Sequence, residues 1–188
     1  DCLLSRGLGD VYKRQILGRR PDGIVLTGTF HTQASRERLA SAGIPVVEAW
    51  DLSDDGLDMQ VGFSHEQVGI AVAEHFFAKG YRRWAVIGVD DPRALRRCNA
   101  VIQRLDTLGA DAVTVQTLPL PATWEVGRKG LANLLDTGKR PDFIFCSSDT
   151  VALGVLAEAA TRGLNVPDDL AVLGLSLIHI SEPTRQEA

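Results

Sequence analysis

Seven short apolar runs alternating with helix-patterned segments predict an α/β fold built on parallel sheet. The runs are rich in Val and Ile and lack strict alternation, as strands covered by helices on both faces should. Five glycines, Gly43, Gly80, Gly109, Gly138 and Gly163, close the helical patterns where a left-handed residue ends a helix.

The strand runs are residues 24–27, 44–47, 59–63, 84–89, 112–115, 143–146 and 170–173. The first helical pattern lies between the first two runs and closes at Gly43. Ser64 with Gln67 forms a capping-box pattern ahead of Val68, Ala71, Val72 and His75–Phe77, and that helix closes at Gly80. Asp91-Pro92 opens the next helix, with a capping carboxylate followed by a proline at the first helical position. Thr123 and Ser148 are good caps for the last two. The polar stretch 51–58, which holds Gly56, is the one long connection, and the turn 79–83 is the expected lobe boundary. There is no internal repeat and no low-complexity stretch.

The two ends of the chain carry a different signal. Every residue of the segment 2–15 has a codon that is the reverse complement of a codon for its partner in 175–188, from Cys2 with Ala188 to Gln15 with Leu175, fourteen pairs without a break. The ends resemble translated sequencing-library adapter flanking an insert in inverted orientation. Residues 1–15 and 175–188 are therefore expected to be non-native and are set aside from fold reasoning. The message is expected to be the fragment 16–174.

The net charge is −4, and it stays there when the ends are set aside, because they carry four basic and four acidic residues. No Lys/Arg block provides an electrostatic footprint for nucleic acid within this segment. Cys98 and Cys146 have neither metal-site nor disulfide spacing, which fits a reduced cytoplasmic compartment. No apolar run approaches the roughly eighteen residues that span a bilayer.

In parallel α/β sheets ligands gather at the carboxyl ends of the strands. Here the loops that meet there are 28–32, 48–52, 90–97, 118–124 and 147–150. Ser148 and Asp149 follow a buried strand and open a helix, so they are either helix caps complementing the dipole or hydrogen-bonding groups for a polyhydroxylated ligand, or both. Arg96 and Arg97 lie in the first turns of a helix; Arg97 is either solvated or a bidentate clamp for a carboxylate or vicinal hydroxyls. Trp124, just inside a helix, is a boundary residue or a sugar-stacking face, and Trp50 and Glu48 at a strand end share that ambiguity. His31, His65 and His75 show no ligand spacing, and neither a phosphate loop nor a nucleophile elbow occurs, so no metal, cofactor or catalytic group is expected.

Read together, Arg20-Pro-Asp-Gly-Ile-Val-Leu-Thr, Ala42-Gly-Ile-Pro-Val-Val, Gly62-Phe-Ser-His-Glu-Gln-Val-Gly with Gly80-Tyr-Arg-Arg, Asp149-Thr-Val-Ala-Leu-Gly and Gly163-Leu-Asn-Val-Pro-Asp-Asp-Leu-Ala-Val-Leu-Gly resemble the lactose/galactose-repressor (LacI/GalR) family. Leu26-Thr-Gly-Thr and Phe145-Cys-Ser-Ser-Asp resemble its gluconate-operon repressors. The resemblance implies a periplasmic-binding-protein-like (type I) fold of parallel sheets flanked by helices in two lobes, with residues 16–80 a partial N-terminal lobe and 81–174 a partial C-terminal lobe. It implies a cytoplasmic transcription regulator, a repressor, that senses a small sugar or sugar acid such as gluconate. Operator DNA would be bound by a helix-turn-helix headpiece outside this chain, the intact protein would be a homodimer, and no membrane would be involved.

Carried across residue by residue, the resemblance places Arg97 at the family's effector arginine, although Ala100 stands where a glycine is expected three residues later. Asp149 matches the acidic residue of the family's Asn-Asp pair, and Ser148 replaces the Asn. Trp124 falls near a ligand-stacking aromatic position. The family's next effector residue is an Asp soon after Gly174, where adapter sequence is expected instead. The fragment is expected neither to repress nor to sense competently. The rival readings are a periplasmic sugar receptor of a transporter, which shares the fold, and a small α/β enzyme.

Overall fold

The computed structural model describes residues 15–175. Nearly all of the expected adapter sequence, residues 1–14 and 176–188, lies outside the described residues. Two compact units divide between Ser64 and His65.

The first unit contains β1 (Ile24–Thr27), α1 (Gln33–Ser41), β2 (Val46–Ala49) and β3 (Met59–Val61), its strands parallel in the order β1-β2-β3. Ile24, Leu39 and Val46 form its buried core, with Leu17, Leu26, Ile44 and Leu57 packed around them. The other face of the sheet presents Val25, Met59 and Val61 at 72, 46 and 68 % exposure. Burial on both faces, expected from the apolar runs, therefore fails in this unit. Its core residues cluster on the side where α1 packs.

The second unit contains α2 (His65–Ala78), β4 (Trp84–Val89), α3 (Pro92–Thr107), β5 (Thr114–Leu118), α4 (Trp124–Asp136), β6 (Phe143–Cys146), α5 (Asp149–Thr161) and β7 (Ala171–Leu173). All its strands are parallel, in the order β5-β4-β6-β7. Here burial on both faces holds: every residue of β4 and β6 is buried. Alternate residues of the same strand serve two cores. Trp84, Val86, Phe143 and Phe145 pack with Cys98, Val101 and Leu105 of α3 and Ala73 of α2. Ala85, Ile87, Ile144 and Cys146 pack with Leu131 and Leu134 of α4 and Val151, Val155 and Ala159 of α5. Each large side chain so buried contributes about 1.5–3 kcal/mol. The first core is closed by an aromatic cluster in which Phe143 lies 4.4 Å, centroid to centroid, from both Phe76 and Trp84.

Three of the expected caps fall where the sequence chemistry puts them. The Asp91 carboxylate accepts from the backbone N–H groups of Arg93 and Ala94, each at 3.1 Å, with Pro92 opening α3. Thr123 and Ser148 cap α4 and α5, accepting from Val126 and Val151. All five helix-closing glycines have positive φ, Gly80 the largest at 98°. Two strands are displaced from the apolar runs. The strand expected at 44–47 forms at Val46–Ala49, because the register pairs it with Ile24–Thr27 and Ile44 is spent on the core. The strand expected at 112–115 forms at Thr114–Leu118, opposite Ala85–Val89.

The division between units also differs from the expected turn at 79–83. Helix α2 packs on α3, where a Cβ on Gly69 would stand 2.7 Å from the Ala100 Cβ and 2.6 Å from the Arg97 carbonyl oxygen. It also supplies Ala73 and Phe76 to the core around Trp84. Those contacts put α2 in the second unit. They also explain Ala100, where the resemblance expects glycine: Gly69, on the opposing helix, provides the room.

Candidate functional site

The chain runs from β4 outward to β5, then back across β4 to β6, so helices leave β4 and β6 on opposite faces of the sheet. At such a reversal the carboxyl ends of the two central strands open a crevice. Beside it lie the start of α3 after β4 and the segment Ser147–Asp149 after β6.

Arg97, on the first turns of α3, is 6 % exposed. One terminal guanidinium nitrogen donates to the Ser147 carbonyl at 2.6 Å, and the other lies 2.8 Å from His65 Nδ1. Burial lowers the Arg97 pKa to about 10, partly offset by the nearby Asp91 carboxylate, so the group stays cationic at neutral pH. Arg97 Nε and the Ser147 hydroxyl are buried and have no hydrogen-bond partner among the described residues. Ser147 is fully buried, held by its own N–H donating to the Ile87 carbonyl at 3.0 Å. A fixed cation and two unspent polar groups therefore sit together at the strand ends.

Ser148 caps α5, which is the structural half of its two expected roles. Asp149, in the first turn of α5, accepts from the Leu175 N–H at 2.9 Å, and a Cβ on Gly174 would overlap the same carboxylate oxygen. That carboxylate complements the helix dipole while holding the chain that leaves β7. Trp124 opens α4 with its ring half exposed and the Arg128 guanidinium 5.5 Å from its centroid. The hydrogen bond to Ser147 ties Arg97 to the segment that carries Ser148 and Asp149.

Trp50 belongs to the first unit and is described there. It follows β2 with φ at 71°, unusual for a bulky residue, and its exposed ring meets Phe63 edge-on at 6.5 Å. Its neighbour Glu48 is fully buried, pairing with His31 Nε2 at 2.8 Å and accepting from the Leu57 N–H at 2.9 Å. Glu48 thus ties down the connection 51–58 from inside the unit. Asp51, also fully buried, accepts from the Thr29 hydroxyl at 2.9 Å and from the Leu52 N–H.

Two polar residues at the Arg97 end were not singled out by sequence reasoning. His65 was one of three scattered histidines, and Ser147 stood beside a more obvious cap. Their link to Arg97 crosses 32 and 50 positions, which leaves no local pattern to find. Cys98 and Cys146 are buried, and burial raises both thiols, Cys98 to about 11, so neither is an activated nucleophile. Among the described residues no three metal-ligating side chains come together, and no helix is long and apolar enough to cross a membrane.

The periplasmic binding protein-like domain profile matches residues 73–184, a span that runs past Gly174. Curated relatives include a protein named HTH-type transcriptional regulator GntR from Pseudomonas aeruginosa, 37 % identical over 87 % of this chain and 48 % of its own length. Another is an HTH-type transcriptional repressor PurR from Actinobacillus pleuropneumoniae, 30 % identical over 88 % of this chain and 50 % of its own. The chain thus spans about half the length of the curated relatives it matches. Among solved structures, a LacI-family regulator from Silicibacter pomeroyi superposes with a TM-score of 0.87, at 27 % identity over 95 % of this chain and 55 % of that one. The transcription regulator GntR from Chromobacterium violaceum gives 0.82 at 33 % identity, over 90 % of this chain and 63 % of that one. These relatives are named as regulators, so neither the transporter-receptor reading nor the enzyme reading is carried forward. Parallel sheets, capped crossover helices and the profile match agree: the chain belongs to the periplasmic-binding-protein-like domain family, in the form shared by LacI-type transcription regulators.

Proposed function

We propose that this chain is the effector-binding part of a LacI-type transcription regulator, a repressor, and that its effector is a small sugar acid such as gluconate, held at the carboxyl ends of β4 and β6. The single observation that carries the reading is Arg97: a buried cation fixed by His65 and by the Ser147 carbonyl, with its Nε and the Ser147 hydroxyl both without a hydrogen-bond partner among the described residues. A buried guanidinium with a free edge suits a carboxylate, because the bond is charge-assisted and two-pronged. Asp149 and Ser148 would accept from or donate to effector hydroxyls, and the half-exposed ring of Trp124 would offer a stacking face. Operator DNA is assigned to a helix-turn-helix headpiece outside this chain, as the resemblance implies and the lack of a Lys/Arg block in this sequence supports, and the intact protein is assigned as a homodimer.

Operator release tests the proposal. Full-length protein bound to fluorescent operator DNA is titrated with gluconate and with the uncharged sugar glucose. Release by the acid alone, lost in Arg97→Ala, supports the reading; release by neither, or equal release from Arg97→Ala, refutes it.

A further inference from the structure

We infer that His65 is the positioning residue for Arg97, and that it does this as the neutral tautomer protonated at Nε2. The inference rests on the effector role proposed above for Arg97. His65 is 3 % exposed and opens α2, while Arg97 is on α3, so neither helix alone fixes the contact between them. The approach of the helices is set by small residues: Gly69 lies against the Arg97 carbonyl and the Ala100 Cβ, one turn along from His65. At 2.8 Å the guanidinium nitrogen is a donor without alternative, because arginine has no lone pair to offer. His65 Nδ1 must then be the acceptor. The ring proton is left on Nε2, and the imidazolium form is excluded from this geometry because both its nitrogens would donate.

The second anchor is the Ser147 carbonyl, reached from the other terminal nitrogen. Two anchors on two different terminal nitrogens fix both the position of the guanidinium and the rotation of its plane. With only the Ser147 contact the plane could turn about a single bond, and Nε would no longer hold one direction. His65 therefore decides which way the remaining donors of Arg97 point without itself touching the effector. The surroundings of Arg97 are cationic as well as acidic, with Arg93, Arg96 and Asp91 all interacting with its charge. A neutral acceptor at His65 is the partner that adds no further positive charge there.

The test has two arms. In the first, the chain is labelled with ¹⁵N-histidine and its ring nitrogens are read by NMR at neutral pH, with His65 assigned by its loss in His65→Asn. The expected result is a proton on Nε2 and none on Nδ1, with that preference weakened in Arg97→Ala. A proton on Nδ1 in the unsubstituted chain overturns the inference whatever the effector proves to be. In the second, gluconate is titrated calorimetrically into the full-length protein and its variants, with thermal unfolding recorded for each. His65→Leu, which removes the acceptor, should weaken binding by about 10-fold or more. His65→Asn, whose amide oxygen can stand close to the Nδ1 position, should recover most of that loss. His65→Leu combined with Arg97→Ala should bind no more weakly than Arg97→Ala alone. Equal affinity in the unsubstituted protein and His65→Leu overturns the inference, as does a double variant that loses the product of the two single effects. If the unsubstituted protein ignores gluconate, the effector reading has failed, and the tautomer measurement alone decides the role of His65.

Discussion

Gly127 of α4 and Gly154 of α5 are the contact point of their two helices: a Cβ on Gly127 would overlap the Val151 carbonyl oxygen, and one on Gly154 would overlap that of Trp124. Glycine inside a helix costs about 1 kcal/mol relative to alanine, so on an isolated helix Gly154→Ala would stabilise. Here the overlap is with backbone and cannot be relieved by a rotamer change, at a cost of about 1–3 kcal/mol or more. The expected net is a loss of about 1–2 kcal/mol in urea unfolding, with a change in Trp124 fluorescence. A variant as stable as its parent would show that the helices separate at no cost.

Acid should weaken the same helix pair. Glu158 is held below the ordinary carboxylate value of 4.5, first by the hydrogen bond from Arg162 and then by that from Arg128. A depressed folded pKa gives stability that is complete above the unfolded value and is lost as pH falls through the folded one. Thermal midpoints of the unsubstituted chain should therefore fall below about pH 4.5 more steeply than those of Glu158→Gln. Parallel acid limbs would remove Glu158 from the account.

Asp91 supports α3 by capping two N–H groups. Asp91→Ala should cost about 1 kcal/mol in urea unfolding, the usual penalty for losing such a cap. Asp91→Ser, which keeps an acceptor, should recover most of it. A loss shared equally by both variants would point to the charge rather than the cap.

Trp50 gives a backbone test. At φ 71° any side chain with a Cβ is strained by about 1–2 kcal/mol, and glycine is not. Trp50→Gly and Trp50→Ala both lose the edge contact with Phe63, so the glycine variant should be the more stable by about 1 kcal/mol. The reverse order in urea unfolding would contradict a left-handed Trp50.

What was legible in the sequence was what local chemistry encodes. Asp91-Pro92, Thr123 and Ser148 open helices because a side-chain oxygen two or three residues from a bare N–H caps it wherever it occurs. Gly80 and Gly163 close them because few other residues take the required backbone conformation. The starts of β2 and β5 were not legible, since Ile24–Thr27 and Ala85–Val89 decide which residues pair and those partners are distant in the chain. Two-sided burial was right for β4 and β6 and wrong for β1 and β3, because an apolar run does not say how many helices lie over it. Arg97 was reachable through its resemblance to a family position, whereas His65 and Ser147 became visible only with the guanidinium between them. The pairing of His31 with Glu48 is of the same kind: two residues with no spacing signal, joined by the fold.

The central claim, that the buried Arg97 edge binds a sugar acid, is tested most directly by calorimetry of the full-length protein and its Arg97→Ala variant against gluconate. The account predicts saturable binding in the first and a loss of about 10-fold or more in the second, as expected for removal of a charge-assisted pair, with both proteins folded by circular dichroism. Equal affinities for gluconate in the two proteins would contradict it.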